Sequence, residues 1–246
     1  MGRIHFVGGE KGGVGKSLTS RLLAQYSIDH KRHLIGFDTD RSHRTFSRFY
    51  NAFSSPVIIE DFSSLDKIVE AAEKHPDAEI IVDLAAQTTR HLHKWFEDSD
   101  IFCIFDSLGF EVFLWHVMDD GADSARLLDI MLDNVTQTNL NLVVLKNMGR
   151  GEHFDLFEET PIYEKALARG AHMLELPALH ARLTQKVDFN NSSFWAAANN
   201  INIMTLTERH RVKVWINNVY AGFDNVLSAK SRSPLADPLL EGLYDL

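Results

Sequence analysis

The sequence predicts an α/β protein with a mostly parallel central sheet flanked by helices. Short, continuous apolar runs alternate with amphipathic stretches along the chain. Strands buried on both faces read as such runs, and the helices between them cover the faces. A glycine-rich turn ending in Lys16-Ser17 separates the first run from the first amphipathic stretch, and two later runs end on aspartates, Asp38 and Asp83. In an open parallel sheet the loops at the carboxyl ends of the strands face one crevice, so these features are expected to share it.

Strands are expected at 3–7, 34–38, 79–83, 101–105, 140–145 and 173–176. Helices are expected at 18–30, where Leu22, Leu23, Tyr26 and Ile28 give a partly buried face, and at 64–74, with Leu65, Ile68, Val69 and Ala72 on one side. A longer helix is expected at 110–132, interrupted by Gly121, and a short one at 163–169. At 206–227, Val212, Trp215, Ile216, Val219 and Phe223 recur at helical spacing. No repeat or low-complexity tract breaks the pattern. One domain spanning 1–246 is expected, and the tail from about 228, with Ser231, Ser233, Pro234 and Pro238, is its expected flexible part.

The turn Gly8-Gly9-Glu10-Lys11-Gly12-Gly13-Val14-Gly15-Lys16-Ser17 carries the chemistry. Strand, glycine-rich turn, Lys-Ser and helix together make a phosphate-binding loop, and the fold it implies is that of a P-loop NTPase. Backbone N–H groups of Gly13, Val14, Gly15 and Lys16 can wrap a β-phosphate, and the helix that starts there adds about half a positive charge at its N-terminus. Lys16 can reach the β- and γ-phosphates, and the Ser17 hydroxyl can bind Mg²⁺. The loop departs from the plain pattern in two places. Glu10 stands where the first glycine is expected, and a second lysine, Lys11, opens the motif.

Two acidic motifs complete the expected site. Gly36-Phe37-Asp38-Thr39-Asp40 ends the second run and points two carboxylates at the same cleft. Like charges beside a triphosphate need a reason, and Mg²⁺ with an attacking water supplies one. Ile80-Ile81-Val82-Asp83 ends a buried strand on an aspartate, the Walker B arrangement, with Asp83 on Mg²⁺ through water. Ser17 and Asp83 are the metal-binding residues that these motifs lead one to expect.

The string Lys-Gly-Gly-Val-Gly-Lys-Ser resembles the deviant Walker A box of the MinD/ParA ATPase family, in the wider group that includes nitrogenase iron protein and ArsA. The resemblance implies ATP and Mg²⁺ as cofactors and a homodimer bridged by ATP, with Lys11 reaching the partner subunit's nucleotide. It places Asp38 in the metal shell through water and gives Asp40 the task of orienting or deprotonating the attacking water. Lys11, Lys16 and Asp40 are thus the expected catalytic residues. Gly12, Gly13, Val14, Gly15, Lys16, Ser17 and Leu18 hold the phosphates. Relatives commonly carry a hydroxyl residue at position 18 that bonds the α-phosphate, and Leu18 keeps only the backbone donor. Asn147 matches the position of an adenine-binding asparagine, and Pro177, in Leu176-Pro177-Ala178-Leu179, matches the loop that packs on the base. An Asn-Lys-x-Asp guanine signature is absent, because Lys146-Asn147 has the wrong order, so ATP is expected over GTP. The family usually continues Asp-x-Pro after Walker B, whereas Ala85 and Gln87 stand here. Gln87 either orients water or is a neutral switch residue facing solvent or the dimer partner. The segment from Ile203 to Lys213 looks like plasmid transfer and mobilisation ATPases of the same superfamily.

Composition narrows the function. A chain of 246 residues that is 45% hydrophobic can bury one sizeable core. A formal net charge of −9 argues against a general nucleic-acid coat, while leaving room for a local basic patch at Arg209, Arg211, Lys213, Lys230 and Arg232. The single cysteine, Cys103, in an apolar run, is expected to be buried, and it excludes a disulfide framework within the chain. It also argues against a bridging iron–sulfur cluster, which takes two thiolates from each subunit. The N-terminus enters a strand at once, and no run approaches the ~20 apolar residues of a membrane span, so a cytoplasmic location is expected. The tail's 238–246 stretch is apolar but acidic, which disfavours a membrane surface. His91 and His93 lack metal-pair spacing, Asp119, Asp120 and Asp123 read as a solvated helix face, and Trp115, Trp195 and Trp215 as core or interface anchors. The leading expectation is an ATPase acting as a dimerisation switch that hydrolyses slowly and positions or partitions a cargo, with an activating partner protein and nonspecific DNA as candidate partners. A plasmid mobilisation or conjugation accessory ATPase, or an ATP-dependent small-molecule synthetase on the same fold, is the alternative.

Overall fold

The computed structural model describes residues 1–135, 137 and 140–228. The expected flexible tail, with Lys230 and Arg232, lies outside the described residues apart from Ser228. A seven-stranded sheet forms the frame: β1 (Gly2–Gly8), β2 (Leu34–Asp38), β3 (Ser54–Pro56), β4 (Glu79–Asp83), β5 (Phe110–Met118), β6 (Leu140–Asn147) and β7 (His172–Leu176). Its order is β3-β2-β4-β1-β5-β6-β7, and every neighbouring pair is parallel. One face is covered by α1 (Lys16–Asp29), α2 (Thr45–Phe49), α9 (Ala181–Phe189), α10 (Phe194–Asn199) and α11 (Leu206–Leu227). The other packs against α3 (Phe62–Lys74), α4 (Thr89–Asp98), α5 (Ile101–Ser107), α6 (Ala122–Asn134), α7 (Asp155–Glu158) and α8 (Pro161–Ala168). Two apolar cores, one per face, follow from strands whose alternate side chains point to opposite sides. Ile4 and Phe6 enter one core, while Val7, Trp115 and Val143 enter the other.

Two expectations are corrected. Residues 101–105, read as a strand, form the first turns of α5, and 110–118, read as the start of a helix, are the central strand β5. Short apolar runs do not distinguish the two states by periodicity alone. Ile101, Phe102 and Phe105 are buried while Cys103 faces solvent, a helical alternation. The thiol is therefore exposed, contrary to the sequence reading. In β5, Phe113 and Trp115 feed one core and Val112 and Leu114 the other, which a strand paired on both edges permits and a surface helix does not. Trp115 and Trp215 are buried, while Trp195 is 58% exposed and so is not a core residue.

The sheet's N-terminal end holds a buried polar cluster. Trp115 Nε1 donates to His5 Nδ1 at 3.1 Å, so the His5 proton sits on Nε2, which donates to Glu79 Oε1 at 2.6 Å. Burial pushes the Glu79 carboxyl up, but the His5 N–H and the guanidinium groups of Arg32 and Arg3 outweigh it and hold the carboxyl low. A buried anion survives only with such partners.

His116, near the end of β5, is 3% exposed, and its Nε2 donates to the Ser124 carbonyl at 3.1 Å. Burial pushes its pKa down from 6.5 to about 4. The folded state keeps it neutral while the unfolded state protonates near 6.5, so its stabilisation is present above that pH and is lost as pH falls toward 4. The expected loss is about 3 kcal/mol. Urea denaturation at neutral pH and at about pH 4 should show a shallower acid-side drop for His116→Gln than for the wild type.

Candidate functional site

The site is built by strand register. Val7 pairs with Asp83 across β1 and β4, and Asp38 pairs with Asp83 across β2 and β4. Three carboxyl ends therefore deliver the glycine-rich loop, Asp83 and Asp38 to one edge. The loop spans Gly9 to Gly15 and closes into α1. Gly15 sits at φ +111, and a Cβ there would lie 2.3 Å from the Asn147 Nδ2. Both the left-handed backbone and the close approach demand glycine.

A cavity of about 720 Å³ opens at this edge. Gly12, Gly13, Gly15, Lys16, Ser17 and Leu18 line it from the glycine-rich loop and the start of α1, Asp40 from the turn after β2, and Asn147 and Pro177 from the ends of β6 and β7. Those sequence-predicted residues are thus brought together. Val14, Asp38 and Asp83 lie just behind, buried at 1%, 3% and 1% exposure. Lys11 stands at the mouth, with about a third of its side chain exposed.

Lys16 Nζ donates to the Lys11 carbonyl at 2.8 Å, so the ammonium is folded into its own loop. Burial pushes its pKa down, opposed by the charges of Asp83, Glu10 and Asp40. Asp83 Oδ1 accepts from Ser20 Oγ at 2.8 Å, and Oδ2 is buried without a partner. Burial pushes this carboxyl up to about 7, with the Ser17 hydroxyl beside it pulling the other way. An orphaned carboxylate oxygen facing a serine hydroxyl and a lysine fits a hard divalent cation such as Mg²⁺.

Asp38 and Asp40 are already engaged. Asp38 accepts from the Asp40 N–H at 3.0 Å and the Ser47 N–H at 2.9 Å, one on each oxygen. Asp40 Oδ1 accepts from the Ser42 and His43 N–H groups at 2.9 and 3.0 Å. Burial pushes the Asp40 carboxyl up, but these N–H groups outweigh it and hold it below the usual carboxylate range. Asn147 does more than line the cavity. Its Nδ2 donates to the Val14 carbonyl at 2.7 Å and its Oδ1 accepts from the Gly149 N–H at 3.0 Å, so it braces the phosphate loop against the loop after β6. Gln87 is exposed and left-handed, at φ 62.

Three features escaped the sequence reading. Asp119 takes Lys11 Nζ on both oxygens, at 2.7 and 3.0 Å, so this part of the acidic run is not a merely solvated face. Asp120 accepts from the Glu152 and His153 N–H groups at 3.0 and 3.2 Å. Arg21, 4% exposed, pairs with Asp188 at 3.0 Å and lies over the Phe49 ring. An arginine one turn into α1 was the only signal, and nothing local marks its partners.

No protein-family model matches the chain. The chain is 22% identical over 228 residues to Protein MobD of Acidithiobacillus ferrooxidans, covering 91% of this chain and 97% of that protein. It is 27% identical over 192 residues to a Protein TraL of Escherichia coli, covering 73% and 78%. Among solved structures it is similar to the septum site-determining protein MinD of Pyrococcus horikoshii OT3 complexed with Mg-ADP, at TM-score 0.55 and 13% identity over 91% of this chain and 98% of that one. A candidate plasmid partition protein of Borrelia burgdorferi B31 bound to AMPPNP matches at TM-score 0.50 and 13% identity, covering 90% and 99%. These likenesses give the chain the MinD/ParA-type P-loop fold.

The bracing role of Asn147 has a consequence that needs no ligand. Asn147→Ala leaves the buried Val14 carbonyl and the Gly149 N–H without their partner and should cost about 1–3 kcal/mol of stability. Thermal denaturation of the protein without nucleotide checks this. An unchanged midpoint would mean that the side chain serves only a bound ligand.

Proposed function

From a fold shared with MinD- and ParA-type P-loop ATPases, we propose that this chain is an ATP-dependent dimerisation switch with slow hydrolysis. The observation that carries the reading is the meeting of the phosphate loop, the Lys16 ammonium and the orphaned Asp83 oxygen at one cavity. Gly12, Gly13, Val14, Gly15 and Leu18 offer backbone to the phosphates, and Lys16 trades the Lys11 carbonyl for phosphate oxygen. Ser17 and Asp83, backed by Asp38, would hold Mg²⁺, which neutralises charge on the phosphoryl oxygens. Asp40 is ionised and at the cavity, and opening its turn frees the carboxylate to orient water. Asn147 and Pro177 would frame the base.

Lys11 supplies the dimer step in this reading. Its ammonium exchanges Asp119 for a phosphate held by a second copy, adding positive charge where phosphoryl transfer builds negative charge. The relatives MobD and TraL, together with the resemblance of 203–213, favour plasmid transfer or mobilisation as the setting. Arg211 and Lys213 are exposed on α11 and Arg209 is part-buried, donating to the Met204 carbonyl, so the described part of the basic patch offers a surface for nonspecific duplex DNA. Among the described residues no helix is long and apolar enough to cross a membrane.

Lys16→Ala should weaken ATP binding by about two orders of magnitude, the loss of a charge-assisted contact, and calorimetry measures it. Wild-type affinity in that variant would refute the site. Lys11→Ala should keep nucleotide binding while turnover falls on the order of 10²-fold. Turnover per subunit should rise with protein concentration in the wild type and stay flat in Lys11→Ala. Concentration-independent turnover in both would point to a monomeric enzyme.

A further inference from the structure

We propose that Glu10 is a positioning residue that transmits occupancy of the phosphate loop to α4, the helix that follows Asp83. This rests on the reading of the loop as a nucleotide site.

The first observation is that α4 lacks a cap of its own. Its N-cap residue, Thr88, has helical backbone, makes no side-chain cap and spends its hydroxyl on the Ala85 carbonyl at 2.8 Å. The first turn contains no acidic residue. The Thr89 N–H instead donates to Glu10 Oε1 at 2.8 Å, across 79 positions of sequence. A carboxylate there satisfies an otherwise orphaned donor and complements the helix dipole.

The second observation is where the carboxylate comes from. Glu10 occupies the place of a glycine in the plain loop pattern, next to Lys11. Its charge is felt by Lys16 and by buried His116, so it lies within electrostatic reach of the phosphate-binding ammonium. Without phosphate, the Lys16 ammonium partly balances it. Phosphate brings several negative charges beside Glu10 and draws Lys16 to itself, so repulsion weakens the hold on Thr89.

The third observation is what the hold restrains. Between Asp83 and α4 the chain passes through Gln87 at φ 62, a left-handed conformation that is strained for a residue with a side chain. Thr39 Oγ1 fixes the near end by accepting from the Ala85 N–H at 2.8 Å, and Glu10 fixes the far end. Release of the far end lets the Gln87 turn relax and α4 move.

Hydrogen exchange of the 84–95 segment tests this in the full chain, with and without ATP and Mg²⁺, and with calorimetry in parallel. Glu10→Gly should speed exchange at Thr89 about fivefold without nucleotide, the effect of losing a cap. Glu10→Gln should keep that protection, because its amide oxygen still accepts. ATP should speed exchange at Thr89 in the wild type and do so much less in Glu10→Gln, which has no charge to repel. Equal protection of wild type and Glu10→Gly, or an equal ATP response in wild type and Glu10→Gln, overturns the inference alone. If calorimetry finds no ATP binding to the wild type, the nucleotide reading falls and this inference falls with it.

Discussion

The in-register parallel pairing of β1 with β4 holds Val7 opposite Asp83 and so fixes where everything else in the site can be. The chain leaves β1 into the glycine-rich loop and leaves β4 into the segment that ends at α4. Because the strands are parallel, both exits occur on the same edge. A slip of one residue would turn Asp83 toward the opposite face of the sheet and replace it with an apolar neighbour. Both faces are packed with large side chains, Trp95 and Phe105 on one and Trp115 and Phe223 on the other, so such a slip is strongly disfavoured. The arrangement of this edge is in this sense a by-product of two well-filled cores.

Loops on that edge hold one another through polar contacts that run from buried to exposed. Asn147 ties the phosphate loop to the loop after β6, Asp120 ties that same loop to the turn after β5, and Asp119 in that turn holds Lys11. Of these, the Asn147 contact satisfies the buried Val14 carbonyl, which would otherwise be left without a partner at a cost of about 1–3 kcal/mol. The result is a closed ring of loops at the cavity, in which the glycine-rich loop is joined to the loop after β6 both directly and by way of the turn after β5.

The phosphate loop, Asp38, Asp40, Asp83 and Asn147 were legible because each is a short motif at the end of an apolar run, where periodicity is strong. The swap of helix and strand between 101 and 118 was not legible. Ile-Phe-Cys-Ile-Phe fits a strand by composition and a helix by burial, and only its neighbours decide. Asp119 and Glu10 were visible as residues but not as contacts, since their partners lie 108 and 79 positions away. Pairing at that distance is a property of the topology, which strand order determines and local pattern does not.

The ion pairs near the site differ in what each leaves behind when its partner departs, and this separates fixed contacts from exchangeable ones. Arg21 is buried with Nε and Nη2 unpartnered, so losing Asp188 would strand a guanidinium among the rings of Phe49 and Phe194. That pair is costly to break and anchors α1 to α9. Asp119 also accepts from Ser124 Oγ at 2.6 Å and from the Gly121 N–H at 3.2 Å. When Lys11 leaves, the carboxylate still has two donors, and the ammonium, a third exposed, is free to swing into solvent. Neither partner is stranded, so the barrier is little more than the attraction between the two charges. The geometry makes Lys11 the mobile member and Asp119 the fixed one.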